Sequence, residues 1–495
     1  MSQRHGVPIR GLMSVNNSPQ FEGKFGRMFH IQDKDKAKFG ATDADNVANL
    51  TALGTAMTAG FDAPFDGPDP EESGIPALYT YLGQFIDHDI TFDPASSLQM
   101  QNDPDALVDF RSPAFDLDNV YGRGPDDQPP LYDGDDTFLL GDPIFGGTDP
   151  NARDLPRNNA LIRRALIGDP RNDENVIIAQ LHLAFLKFHN RVASALLDGE
   201  HASYWSGDPA ELFWEAQRIV RWHYQWVVVR DFLPRIVAEG LIEDLLARPS
   251  GSKRTRRPGT RSRPERRFFR FDDELFMPVE FSVGAYRFGH SLVRPSYELN
   301  AWATNVRVFV EYPDPLDAGH LGGSRPLLDR LVIDWDRFLS LTRRRPQPAR
   351  RLDTKLAGPL TNLPAGVAPP GEAGRSLAWL NLMRGRAMGL PSGQDVAEAL
   401  GEPRLDDDDL GLDGAPAPLW YYILAEAATR GGKRRLGPVG GRIVAEVLIG
   451  LLQSDPASYL VQKPKWTPTL TSAGSSFRMK DFLTFAGVDP ASRGQ

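Results

Sequence analysis

The stretch Tyr81-Leu82-Gly83-Gln84-Phe85-Ile86-Asp87-His88-Asp89-Ile90-Thr91-Phe92-Asp93 sets one histidine between two aspartates in a run that is otherwise largely apolar. Wound as a helix, it brings Gln84, Asp87, His88 and Thr91 to one face, because side chains three, four and seven apart are neighbours on a helix surface. Leu82, Phe85, Ile86 and Ile90 take the opposite side, and Asp89 projects about 100° round from His88. Polar groups in such a run are costly unless each finds a partner. The pattern alone allows two readings: a core histidine satisfied by a neighbouring acid, or an amide, a carboxylate and an imidazole presented together to a ligand.

The 495 residues are enough for one very large domain or two to three ordinary ones, and enough to bury a cofactor. A hydrophobic share of 41% and a charged share of 24% are those of a soluble globular protein. No run of about eighteen apolar residues suggests a membrane span. The first residues, Met-Ser-Gln-Arg-His-Gly-Val-Pro, carry no apolar signal region, so a cytoplasmic location is expected. With no cysteine, disulfides and thiolate ligation of zinc, iron-sulfur clusters or haem are excluded. Any transition metal must then use histidine, carboxylate or tyrosine. A net charge of −9 argues against a nucleic-acid partner. The basic stretch 251–267 runs against that balance; broken by Pro258, Gly259 and Pro264, it reads as an exposed loop, either a solvated insertion or an anionic docking patch.

Four further segments carry candidate chemistry. In Arg111-Ser112-Pro113-Ala114-Phe115-Asp116-Leu117-Asp118-Asn119-Val120-Tyr121-Gly122, alternation directs Ser112, Ala114, Asp116 and Asp118 to one side of an extended loop, which suits a hard cation or a plain acidic turn. The spacing is not that of an EF-hand. Gly168-Asp169-Pro170-Arg171-Asn172-Asp173-Glu174 precedes a helical run from Asn175 to about Leu197, with Asn172 or Asp173 as its expected cap. His182 and His189, two turns apart on that helix, are too distant to share one ion, so His182 is read as packed and His189 as part of a polar segment. Gly284-Ala285-Tyr286-Arg287-Phe288-Gly289-His290-Ser291-Leu292-Val293-Arg294-Pro295 reads as an amphipathic helix, with Gly289 leaving room for something flat beside His290. Ser376-Leu377-Ala378-Trp379-Leu380-Asn381-Leu382-Met383-Arg384-Gly385-Arg386 is another helix, and a possible helix lies near Val47–Thr58.

Taken together these segments resemble the animal-type haem peroxidases of the peroxidase-cyclooxygenase superfamily, in a form similar to the shorter bacterial members. The likeness runs from about residue 23 to residue 452. It implies a mainly α, large single-domain helical fold with long irregular loops: an arm at 1–20, the peroxidase domain at 21–455 with 251–267 inserted, and a C-terminal extension at 456–495. By the same resemblance His88 is the acid-base histidine, Gln84 the amide over the haem and Arg171 the arginine beside the histidine. Asp87 and Glu174 fall where carboxylates can be esterified to haem b, and Asn175 stands where some relatives carry a haem-bonded methionine. His290 matches the iron ligand, Asn381 the acceptor of its other N–H and Arg384 a partner of a haem propionate; Arg287 belongs with them. Calcium would be held by Asp89, Ser112, the Ala114 carbonyl, Asp116 and Asp118.

The implied activity is reduction of hydrogen peroxide with oxidation of a small, phenolic donor, or of halide near Gln84. A fatty-acid or biosynthetic oxygenase or peroxygenase of the same fold is the alternative, and a non-catalytic calcium-binding or adhesion module is a third reading. Cyclooxygenases and fatty-acid dioxygenases carry a radical tyrosine three residues before the iron ligand, where this chain has Arg287; Tyr286 is one residue off.

Overall fold

The computed structural model describes residues 25–29, 31, 39–59, 72–91, 113–134, 136–145, 149, 151–161, 163–199, 207–247, 268–269, 275–311, 314, 316–364 and 373–488. Ser112 and the basic stretch 251–267 lie outside them. The chain is mainly helical. In order come α1 (Asp43–Ala56), α2 (Leu78–Ile90), α3 (Asp118–Tyr121), α4 (Val176–Leu197), α5 (Leu212–Val227), α6 (Leu233–Ile236), α7 (Leu241–Leu246) and α8 (Gly358–Thr361). The C-terminal part adds α9 (Leu377–Ala387), α10 (Gly393–Leu400), α11 (Asp407–Leu410), α12 (Leu419–Thr429), α13 (Pro438–Ser454), α14 (Tyr459–Gln462) and α15 (Met479–Phe485). Short strands only tie loops together: β1 (Phe25–Gly26) pairs in parallel with β3 (Met277–Pro278). Antiparallel pairs join β2 (Glu72–Pro76) to β6 (Pro348–Arg350) and β4 (Ser296–Tyr297) to β5 (Val306–Arg307).

The apolar sides of α2, α4 and α5 meet in the core. Phe85 of α2 stacks on Phe185 of α4 with centroids 4.3 Å apart, and Tyr224 of α5 stands edge-on to both. Helix α15 reaches back to the same core, its Phe482 lying flat on Phe188 at 3.9 Å. Offset aromatic packing of this kind adds to the area each ring buries. Residues 459–488 are therefore woven into the body that holds α2.

Three local readings need correction. Helix α1 begins earlier than Val47, because Thr42 and Asp45 form a reciprocal capping box. The cap of α4 is Asn175, whose Oδ1 accepts the N–H groups of Ile177 and Ile178, and neither Asn172 nor Asp173. Those two are committed elsewhere: Asp173 to Arg157 at 2.7 and 2.8 Å, and Asn172 to His88. Nor is the His290 segment an α-helix. A π-helical turn at Glu280–Gly284 runs into a 3-10 helix at Ala285–Leu292. The carbonyls of Ser282 and Arg287, which an α-helix would use for its own N–H groups, accept from Arg287 Nε and from the Trp420 indole. In 3-10 winding, residues three apart eclipse, so Arg287 stands directly in line with His290.

Candidate active site

Helix α2 delivers the polar face expected of it. His88 is buried, and its Nδ1 lies 2.8 Å from Oδ1 of Asn172. With a carbonyl oxygen as partner, Nδ1 carries the ring proton and Nε2 is the basic nitrogen. The amide nitrogen of Asn172 in turn donates to Nδ1 of His182 at 3.0 Å. Asn172 and His182 are both fully buried. The sequence does not signal this His88–Asn172–His182 chain: Asn172 stands where a helix cap is expected, and no spacing rule links residues 88, 172 and 182.

Arg171 sits beside His88 but clasps the end of its helix. Nη2 donates to the carbonyls of His88 and Thr91 at 3.0 and 2.6 Å and to Asp169 at 2.9 Å. The guanidinium thus caps the C-terminus of α2, where cations are favoured. Burial, with the Arg171 charge added, lowers the His88 pKa to about 4 against the opposing pull of Asp169 and Asp87. Its imidazole is therefore neutral at neutral pH.

Gln84 and Glu174 complete this wall. The Gln84 amide donates to Glu174 Oε1, and Asn175 donates to Gln84 at 3.4 Å. Glu174 Oε1 is 3.9 Å from His88 Nε2. Burial pushes the Glu174 carboxyl up to about 7, Arg171 pulls it down, and Asp169 and Asp87 push it up again. Deep as it lies, Glu174 keeps 47% of its side-chain surface accessible. Gln84, Asp87 and Gly83 are likewise partly accessible in the interior. Depth together with accessibility means an internal space runs along this face of α2.

The His290 segment is pinned to α2 by the Tyr286 hydroxyl, which donates to the Gly83 carbonyl at 3.2 Å. Beside it there is room: a Cβ placed on Gly289 would meet nothing within 4 Å. His290 Nδ1 is 2.8 Å from the Asn381 amide nitrogen of α9. That polarity is the reverse of the expected one, in which the amide oxygen accepts; a half-turn of the amide exchanges the two, so the contact serves either. Burial, then the charge of Arg287, lowers the His290 pKa to about 3, leaving a neutral imidazole. Arg384 lies one turn beyond Asn381 and is partly buried.

The candidate cation loop departs from an extended alternation. Residues 113–116 bend, Leu117 adopts a left-handed conformation at φ 55°, and Asp118 opens α3 with its N–H on Asp116 Oδ1 at 3.0 Å. Asp89 is fully buried near the Tyr224 hydroxyl, whose pKa burial raises first and the charges of Asp89 and Asp116 raise further. Asp89 and Asp116 thus both lie close enough to one tyrosine for their charges to act on it. Among the described residues, no group of three or more carboxylate or histidine side chains is arranged to hold a metal. Ala114 is buried in the same bend.

A sequence profile described as "Animal haem peroxidase" matches residues 99–410, well over half of the chain. The chain belongs to the animal haem peroxidase family. The matched span begins beyond α2, so the reading of His88 in this member of the family rests on its motif and its surroundings. Chorion peroxidase of Drosophila melanogaster is 28% identical over 309 residues, covering 59% of this chain and 34% of that protein. Human thyroid peroxidase is 27% identical over 248 residues, covering 49% and 23%. The chain spans about a third or less of the length of these curated relatives. Among solved structures, Peroxidase A from Dictyostelium discoideum superposes with a TM-score of 0.56 at 16% identity, covering 89% of each chain. A fatty acid alpha-dioxygenase from Arabidopsis thaliana gives 0.50 at 14% identity, covering 89% of this chain and 73% of the other. These two similarities concern the fold.

The family implies haem, and the residues present fit one. His290 offers a neutral ring whose Nδ1 is already engaged, which is how a ligating histidine is held by its surroundings. Gly289 leaves the flank open to a flat group. Arg287 and Arg384 provide positive charge on that side for carboxylate substituents.

Proposed function

We propose that this chain is a haem peroxidase: it reduces hydrogen peroxide and oxidises a small organic donor of phenolic type. The reading takes the space along Gln84, Asp87 and Glu174 and the space beside Gly289 as one cavity, with His290 as the iron ligand. Haem, when bound, supplies the iron at which peroxide is reduced and donors are oxidised. The observation that carries the proposal is the state of His88, neutral and with Nδ1 engaged by Asn172. Its Nε2 can take a proton from one peroxide oxygen and return it to the other as the O–O bond breaks. Such a shuttle fails if the ring is protonated in advance or free to present the wrong nitrogen. Burial, with the Arg171 charge added, keeps the ring neutral, and Arg171 fixes the helix end by its hydrogen bonds.

The Gln84 amide holds Glu174; the Asp87 and Glu174 carboxylates would border the macrocycle, and an ester at either is part of the proposal. Calcium belongs to it as well, with Asp89, Asp116, Asp118, Ser112 and the Ala114 carbonyl as oxygen donors, six to eight of which suit that ion. Purified protein loaded with haem, mixed with peroxide and a phenolic donor, tests the reading. Turnover that requires peroxide supports it; a haem-loaded protein inert to peroxide sinks it. Resistance of the haem to acid-acetone extraction tests the esters, and loss of thermal stability on chelation tests calcium.

A second reading, oxygenation of a fatty acid, draws on the structural neighbours that are fatty acid alpha-dioxygenases. Arg287 occupies the position at which those enzymes need a tyrosine, and the Tyr286 hydroxyl is bound to the Gly83 carbonyl. Oxygen uptake with palmitate in the absence of peroxide would revive that reading.

A further inference from the structure

Where β2 and β6 pair and α15 begins, a cleft of about 510 Å³ opens on the surface. Tyr79 lies at its base, donating its hydroxyl to Asp231 Oδ2 at 2.8 Å. The Arg235 guanidinium lies over the Tyr79 ring at 4.3 Å and bonds Asp231 Oδ1 at 3.1 and 3.0 Å. Arg235 is therefore fixed, and its charge is compensated. The walls are of two kinds. Pro76, Leu339, Pro346 and Pro348 give apolar surface, while Arg345, Arg478 and Lys480 bring charge. A fourth cation borders the cleft, the Arg434 guanidinium carbon lying 4.0 Å from where a Cβ on Gly74 would stand.

Asp481 is the one carboxylate in the lining, and its Oδ2 already accepts the N–H of Arg478 at 2.8 Å. Among the described residues, Arg345, Arg434 and Lys480 have no ion-pair partner. On a chain with a net charge of −9 this is a local excess of positive charge. Cations gathered in a concave site repel one another and raise the local potential, which an entering anion relieves. The volume lies within the roughly 300–1,000 Å³ typical of small-molecule sites, and apolar walls with a few polar groups are their usual make-up.

We propose that this cleft binds a small organic anion, its apolar body against the prolines and Leu339 and its carboxylate or phosphate head among Arg345, Arg434, Arg478 and Lys480. The site shares no lining residue with the His88 and His290 walls, so it stands or falls apart from the peroxidase reading. It does abut the same helix, Tyr79 preceding His88 by about 13 Å of helix length.

The test is calorimetric titration of the haem-loaded protein, without peroxide, with 2-naphthoate, 2-naphthyl phosphate and the uncharged 2-naphthamide. The acid, the phosphate ester or both should bind, the amide much more weakly, and raising the salt concentration should weaken the anions only. Arg345→Gln/Lys480→Gln should weaken anion binding roughly tenfold or more, as loss of charge-assisted contacts does. Arg404→Gln, a surface cation outside the cleft, should leave it unchanged. Preference for the ester or the acid identifies the head group. Equal binding of amide and acid, or an undiminished affinity in a double variant that melts like the parent, overturns the proposal.

Discussion

His88 sits in a regular α-helix and is held through its side chain, by Asn172 and then His182, with Arg171 closing the helix behind it. His290 sits in a π-turn and 3-10 run whose carbonyls are held by Trp420 and by Arg287, with one side-chain contact to Asn381 and open space at Gly289. On the proposed reading, with His88 as proton shuttle and His290 as iron ligand, the contrast follows what each wall is asked to do. A proton shuttle needs one tautomer in one place, and hydrogen bonds between buried side chains give that. An iron ligand needs the main chain brought close to a flat group, and tighter winding with a glycine gives that.

The comparison makes graded predictions. His290→Ala should abolish haem uptake almost entirely, seen as loss of the Soret band at equal protein concentration; retained haem with full turnover would remove His290 as the ligand. His88→Ala should keep the haem yet slow the reaction with peroxide by roughly 10²-fold or more, the usual scale for a positioned acid-base group. Stopped-flow spectra at varied peroxide measure it, and an unchanged rate would point to another shuttle. Asn172→Ala should cost less, about tenfold, since the imidazole stays but its tautomer is no longer set. Asn172→Asp is more telling, because a carboxylate favours the imidazolium and should move the acid limb of the peroxide reaction to higher pH.

A separate effect concerns stability. Burial lowers the pKa of His182 to about 3 and of His189 to about 4, below the unfolded value near 6.5. The unfolded chain therefore binds more protons than the folded one as pH falls below 6.5, and stability is lost toward the folded values. At pH 5 this amounts to roughly 2 kcal/mol per histidine. Melting curves between pH 7 and pH 5 should show the decline, and His189→Gln should flatten it.

Much of this was legible in the residues, and the reasons are specific. The face of α2 follows from helical periodicity, and Gly289 beside His290 signalled the open space found there. The cap at Asn175 and the early start of α1 were also within reach of capping rules, yet Asn172 and Asp173 competed for the same role until their partners were known. What could not be read were contacts between residues distant in the chain: Asn172 with His88, Arg171 with the carbonyls of α2, and Tyr224 with Asp89. Periodicity also assumed α-helical winding at His290, where competing donors to the Ser282 and Arg287 carbonyls favour another geometry.

The docking of α15 has a consequence for synthesis. Phe482 rests on Phe188, and the Met479 N–H donates at 2.8 Å to the same Asp231 carboxylate that receives Tyr79 of α2. A chain emerging from the ribosome makes α2 but lacks its last support until α15 follows, about four hundred residues later. If α2 holds a haem as proposed, loading it is then a late event in the life of the nascent chain, and the long wait with an unfinished interior is where chaperone holding matters for yield.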